Sequence, residues 1–179
     1  AQVNIWHCDA NGVYSGASDP GFDTTGQDWL RGFQITDETG MAKFLTIYPG
    51  WYSGRAVHIH FKIRTDPDSE QGYEFTSQLF FDDAFSEEIY QLQPYHDGRG
   101  KQDTPNDEDN IYRNSEGLLT LALVELTEDE LEEFGVTSGY SALFSIGLDV
   151  SVDTSAQSEM GGERDRRPPG GNRPPGGNG

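Results

Sequence analysis

With 179 residues the chain is long enough for one domain with a core of its own, and 34 % hydrophobic content with 22 glycines favours strands and turns over a helical bundle. Its formal charge of −19 repels nucleic acid and anionic lipid, so neither is an expected partner. No run of about 18 apolar residues is present, so no helical membrane span is expected. The charge is uneven: residues 161–179 hold Arg164, Arg166, Arg167 and Arg173 against Glu163 and Asp165, a net of +2 that leaves −21 for the rest.

The first residues read as a strand, with Val3 and Ile5 alternating against Gln2, Asn4 and Trp6. Asp9-Ala10-Asn11-Gly12 follows as a turn, and residues 15–29, rich in Gly, Asp, Ser and Thr without a period, read as a long loop. Phe33 to Thr36 and Ala42 to Tyr48 flank Asp37-Glu38-Thr39-Gly40 as a predicted hairpin, stopped by Pro49-Gly50. From Val57 to Ile63 the alternation resumes, which sets Val57, Ile59, Phe61 and Ile63 on one side and His58, His60 and Lys62 on the other. Further along come a strand at Ser77 to Phe81, a short helix at Ala84 to Leu92 and a polar loop to about Asn110. The last predicted strands are Leu118 to Glu125 and Tyr140 to Val152, with a helical turn opened by Thr127, Glu128, Asp129 and Glu130 between them.

These elements predict an all-β fold: a β-sandwich of two mainly antiparallel sheets with long loops and one or two short helices. The domain is expected to span residues 1–152. Residues 153–179 read as a Pro/Gly/Arg-rich linker or tail, because Arg-Pro-Pro-Gly-Gly-Asn recurs there and such a repeat buries no core. The duplication favours a tether to a C-terminal module over a frayed end. Cys8 is the single cysteine, so no intrachain disulfide forms; a buried thiol and a bond to a segment outside this chain both remain open.

The sharpest local signal is His58-Ile59-His60, since residues two apart on a strand share a face and their imidazoles can converge on one metal. Alone it is weak, and two ordinary strand histidines fit as well. Upstream, Pro49-Gly50 bends the chain into Trp51-Tyr52-Ser53-Gly54-Arg55, a loop able to return Tyr52 toward the histidines, and Tyr14 sits at a similar strand-end turn. Phenolate and imidazole donors suit a hard, highly charged metal better than a thiolate-loving one.

The chain resembles the intradiol ring-cleavage dioxygenases, including catechol 1,2- and protocatechuate 3,4-dioxygenases. The likeness runs through Ile5 to Ser15, Leu30-Arg31-Gly32, Phe44 to Tyr52 and Arg55 to His60, and covers roughly residues 1–152. It implies one non-haem Fe(III) per chain, held by Tyr14 and His58 with Tyr52 and His60 as axial ligands. It further implies Arg55 as the cation beside the substrate ring and Gln78 as a polar group of the same pocket. The implied reaction opens a catechol-type substrate with O₂ to a cis,cis-muconate.

There are departures. Only Ser53 and Gly54 separate Tyr52 from Arg55, so a bulky pocket residue is missing and the preferred catechol stays open. No N-terminal helical dimerisation region is present, and the chain begins inside the strands that precede the first tyrosine in the family, so N-terminal strands are expected to be missing. The short form is most similar to single-domain, often exported members, which implies an extracellular location. Two alternatives remain: a cupin-like metal enzyme using the His-x-His pair with His96 as a third ligand, and a non-catalytic ligand- or protein-binding β-sandwich module.

Overall fold

The computed structural model describes residues 1–68, 72–96 and 100–151; the predicted tail lies outside them. Among the described residues there are eight strands: β1 (Gln2–Trp6), β2 (Ser18–Asp19), β3 (Phe22–Asp23), β4 (Arg31–Ile35), β5 (His58–Arg64), β6 (Glu74–Phe80), β7 (Val124–Glu125) and β8 (Tyr140–Ser141). Three helices join them: α1 (Asp83–Ile89), α2 (Asn110–Asn114) and α3 (Glu128–Phe134), with a 3₁₀ turn at Asn106–Glu108. The all-β sandwich class holds. Its main layer is an antiparallel sheet in the order β4-β1-β5-β6, and β2–β3 and β7–β8 form two short ladders.

β5 is the centre of the molecule. Its alternation falls as expected, with Val57 just before it and Ile59 within it joining Phe81, Ile89 and Tyr90 in a buried cluster. His58 and His60 are buried too, at 2 % and 0 % exposure, so the opposite face is enclosed rather than solvated. A strand covered on both faces with imidazoles on one of them requires polar partners there.

Several boundaries differ from the sequence reading. The Asp37 turn forms, its Oδ1 accepting from Thr39 N and Met41 N, but the predicted second arm at 42–48 makes no ladder with β4. β1 pairs with β4 instead, and Leu45 and Ile47 are left 69 % and 44 % exposed. Alternation specifies which side chains share a face, not which neighbour takes the backbone hydrogen bonds.

The predicted strand at 118–125 shrinks to β7. Thr120 makes a single bridge to Phe80, while Leu121 and Leu123 pack against the core, so the apolar pattern serves burial more than pairing. The strand predicted from residue 140 is likewise reduced to β8, and Phe144 beyond it lies against the Phe61 ring at 6.1 Å.

The loop predicted at 15–29 contains the β2–β3 hairpin, and the loop before Asn110 ends in the unpredicted α2, which makes three short helices among the described residues where one or two were expected. α1 starts one residue earlier than predicted because Asp82 caps it, accepting from Phe85 N at 2.9 Å.

α3 is the clearest case of local sequence deciding structure. Thr127 and Glu130 form a reciprocal capping box, and Gly135 closes the helix at φ 64°. No residue of α3 is buried, so little tertiary packing holds it. Thr127→Ala is expected to destabilise this helix by about 1 kcal/mol, seen as faster amide exchange confined to 128–134.

Candidate metal centre

Three elements bring the predicted residues together. β5 presents His58 and His60, whose Nε2 atoms lie 3.1 Å apart. The turn after β1 carries Tyr14, with its hydroxyl 3.4 Å from His58 Nε2. The loop after Pro49 carries Tyr52, with its hydroxyl 3.3 Å from the same nitrogen. All four side chains named from the sequence therefore meet around one point.

The turn that holds Tyr14 is heavily tied. Asp9 Oδ1 accepts from Asn11 N and Val13 N, and Thr24 Oγ1 donates to the Tyr14 carbonyl at 2.6 Å. Ser15, fully buried, donates to the Trp29 carbonyl and accepts from Arg31 Nε. The Tyr52 loop is anchored from the other side. Tyr95 Oη donates to the Tyr48 carbonyl, Tyr90 Oη donates to the Pro49 carbonyl, and Tyr48 Oη bonds Ser86 of α1. Burial pushes the Tyr95 phenol up to about 12 and raises Tyr48 as well, so both act as neutral anchors.

The two loops touch at Gly50. Its N–H donates to the Asp9 carbonyl at 2.9 Å, and a β-carbon there would lie 2.5 Å from the Ala10 carbonyl oxygen. Only glycine permits this approach, and the approach sets Tyr14 and Tyr52 edge to face with ring centroids 5.5 Å apart. Cys8, 1 % exposed, donates to the Gly50 carbonyl, which supports the buried-thiol reading over an outside bond.

The His58 tautomer follows from its partners. Nδ1 lies 2.7 Å from the Ala56 carbonyl, which can only accept, so Nδ1 carries the proton and Nε2 of the neutral ring offers a lone pair to the centre. His60 is held differently. The β1–β5–β6 register sets Trp6, His60 and Gln78 side by side, with the Trp6 ring stacked on His60 at 4.7 Å and 4° and Gln78 Nε2 3.3 Å from His60 Nδ1.

Arg55 reaches the same corner: its Nη2 donates to Gln78 Oε1 at 2.5 Å and its Nε to Asp109 at 2.8 Å. Burial alone would raise the Asp109 carboxyl, but the hydrogen bond and charge of Arg55 outweigh it and hold it below the usual carboxylate range.

His7 stands apart from the four. It is 1 % exposed, with Nδ1 on the Cys8 carbonyl and Nε2 on Thr46 Oγ1, and burial lowers its pKa, so it is a neutral packing histidine. His96 is exposed, and among the described residues no group of three or more His, Cys, Asp or Glu side chains is placed to hold a metal. The other polar atoms beside the imidazole pair are the hydroxyls of Tyr14 and Tyr52.

The donor set fits a metal ion on geometry. Bonds of about 2.0–2.1 Å place neighbouring donors roughly 3 Å apart, the order of the 3.1, 3.3 and 3.4 Å spacings around His58 Nε2. Sequence reasoning missed Asp109, Thr24 and the stack of Trp6 on His60. Only Asp109 left a signal, as a capping-type residue before Asn110-Ile111-Tyr112.

An all-β domain with buried imidazoles facing half-buried phenols defines a class of sandwich proteins with a nitrogen-and-phenol site. Comparison with known proteins makes the assignment narrower. The chain is 29 % identical over 101 residues to a chlorocatechol 1,2-dioxygenase of Pseudomonas putida, across 46 % of this chain and 35 % of that one. An intradiol ring-cleavage dioxygenase from Tetranychus urticae superposes with a TM-score of 0.59 at 28 % identity, covering 74 % of this chain and 65 % of its own. At 23 % identity and TM-score 0.50, the dioxygenase domain of a dioxygenase–carbohydrate-binding protein fusion from Streptomyces sp. SirexAA-E shares the fold, over 83 % of this chain and 68 % of that one. No protein-family profile matches.

In sequence and in fold the chain is similar to intradiol ring-cleavage dioxygenases. It spans about a third of the curated relative and just under two thirds of the Tetranychus chain.

Proposed function

We propose that the chain is an intradiol aromatic ring-cleavage dioxygenase that holds one non-haem Fe(III) through Tyr14, Tyr52, His58 and His60. Its reaction opens a catechol-type diol with O₂ to a cis,cis-muconate. The observation that carries the reading is the meeting of two phenol oxygens and the Nε2 of His60 within 3.4 Å of His58 Nε2.

When bound, Fe(III) would supply a Lewis-acid centre that ionises a chelating catechol, the form of the diol open to O₂. The chain's own residues do the rest. His58, with Nδ1 locked on the Ala56 carbonyl, offers a neutral nitrogen. Tyr14 and Tyr52 supply phenols that a trivalent cation ionises, so the site balances charge with anionic oxygen instead of stranding it. Tyr52, once ionised by the bound cation, would be the base placed to take a proton from the diol. Arg55, beside Gln78, sets a fixed positive charge where negative charge develops on the opening ring. Trp6 covers one face of His60 and keeps water from it.

The experiment is an aerobic product assay over a panel of catechols with the iron-loaded protein, paired with visible spectroscopy. Tyrosinate-to-iron charge transfer is expected to colour the wild type red. Tyr14→Phe and Tyr52→Phe are expected to shift that band, and Tyr52→Phe to lower kcat by about 10²-fold, the scale of a lost general base. A variant with wild-type colour and rate removes that tyrosine from the ligand set. Colourless protein without stoichiometric iron after loading favours a binding module instead.

The substrate reading comes with O₂ as co-substrate and with no nucleic acid or membrane partner, in keeping with the acidic surface. We further propose export and, on the 153–179 repeat, a tethered module; the same fold occurs joined to a carbohydrate-binding protein in the Streptomyces fusion.

A further inference from the structure

Asp109 is 3 % exposed and is distant in sequence from every residue of the donor set. One of its oxygens, Oδ2, accepts from Arg55 Nε at 2.8 Å and from Ala56 N at 3.2 Å. The other, Oδ1, accepts from Ile111 N at 2.9 Å and Tyr112 N at 3.3 Å, which caps α2. A single buried carboxylate thus ties a helix start to the two residues next to Val57 and His58. On its far edge the guanidinium donates to Gln78, which lies opposite His60 in the ladder.

We propose that Asp109 is a positioning residue for Arg55, fixing the guanidinium plane at the edge of the donor set through α2. This rests on the reading of the site as a ring-cleavage centre. An arginine side chain has many rotamers, and its planar fork needs partners on two edges to hold one orientation. Gln78 grips one edge and Asp109 the other. A buried ion pair contributes little net stability against an apolar alternative, so a positional role explains its place here better than a stabilising one. Asp109 also caps α2, and the two roles separate by substitution: serine keeps a capping oxygen but removes the anion that faces Arg55.

The test uses Asp109→Ser alone and combined with Arg55→Ala. The single variant is expected to fold, to keep the iron charge-transfer band of the wild type and to lose about 10- to 100-fold in kcat/KM on a catechol, the cost of an ångström-scale misplacement. Added to Arg55→Ala, the same change is expected to cost less than about threefold more, because the residue it positions is already gone. Losses that multiply in the double variant overturn the proposal, as does wild-type kcat/KM in Asp109→Ser.

A second readout needs neither iron nor turnover. In ¹⁵N NMR of the metal-free protein, the Arg55 Nε–H resonance is expected to exchange slowly in the wild type and to shift and broaden in Asp109→Ser. An unchanged resonance overturns the proposal even if activity falls. If the wild type cleaves no catechol but the resonance depends on Asp109, the dioxygenase reading fails and the positioning of Arg55 stands.

Discussion

His58→Ala is expected to abolish stoichiometric iron binding, weakening it by well over 100-fold, and to remove the visible band and ring cleavage with it. The scale follows from its place: all three short donor spacings of the site end on His58 Nε2. Loss of a partner one shell further out already costs a metal site about 10- to 100-fold, so loss of the donor itself costs more. The ring is 2 % exposed and lies 5.9 Å from Phe80, so its removal also opens a cavity and lowers the unfolding midpoint.

His96→Ala is the matched control. That side chain is exposed and joins no cluster of three His, Cys, Asp or Glu ligands among the described residues, so the variant is expected to keep iron and colour. Metal analysis of both proteins after identical loading checks the prediction. Full iron in His58→Ala would refute the site, and iron lost from His96→Ala would revive the cupin-like arrangement.

Gly50→Ala is the second large effect. The new methyl would sit 2.5–2.6 Å from backbone atoms of Asp9 and Ala10, and backbone cannot rotate aside as a side chain does. Both loops are pinned elsewhere, by Tyr90 and Tyr95 on one side and by the Asp9 and Thr24 hydrogen bonds on the other. Relief therefore comes from separating them, at about 1–3 kcal/mol of stability. Separation moves Tyr52 away from Tyr14, so iron affinity is expected to fall together with the melting temperature. Ala17→Gly, outside this contact, is expected to spare iron binding. Calorimetry with iron titration reads both, and a Gly50→Ala protein that binds iron as the wild type does would show that the loop contact does not set the tyrosines.

The contrast between α3 and the 42–48 segment shows where sequence reading succeeds. Thr127, Glu130 and Gly135 determine a helix through contacts a few residues apart, so the helix is legible without its surroundings. Residues 42–48 carry a strand-like pattern but no ladder, since β1 rather than this segment takes the hydrogen bonds of β4. A pattern of apolar positions reports burial, and partners are chosen by the whole sheet.

The same division runs through the site. The strand period alone put His58 and His60 on one face, because side chains two apart cannot do otherwise in a pleated strand. The Pro49-Gly50 bend and the family likeness pointed to Tyr52, Tyr14, Arg55 and Gln78 as companions. What only the tertiary structure decided is how they are held. Asp9 meets Gly50 across about 40 residues, Trp6 and Gln78 flank His60 through β1 and β6, and Asp109 reaches Arg55 across 54 positions. Long-range approaches of this kind depend on backbone shape and on hydrogen-bond partners distant in the chain, and no local pattern encodes either.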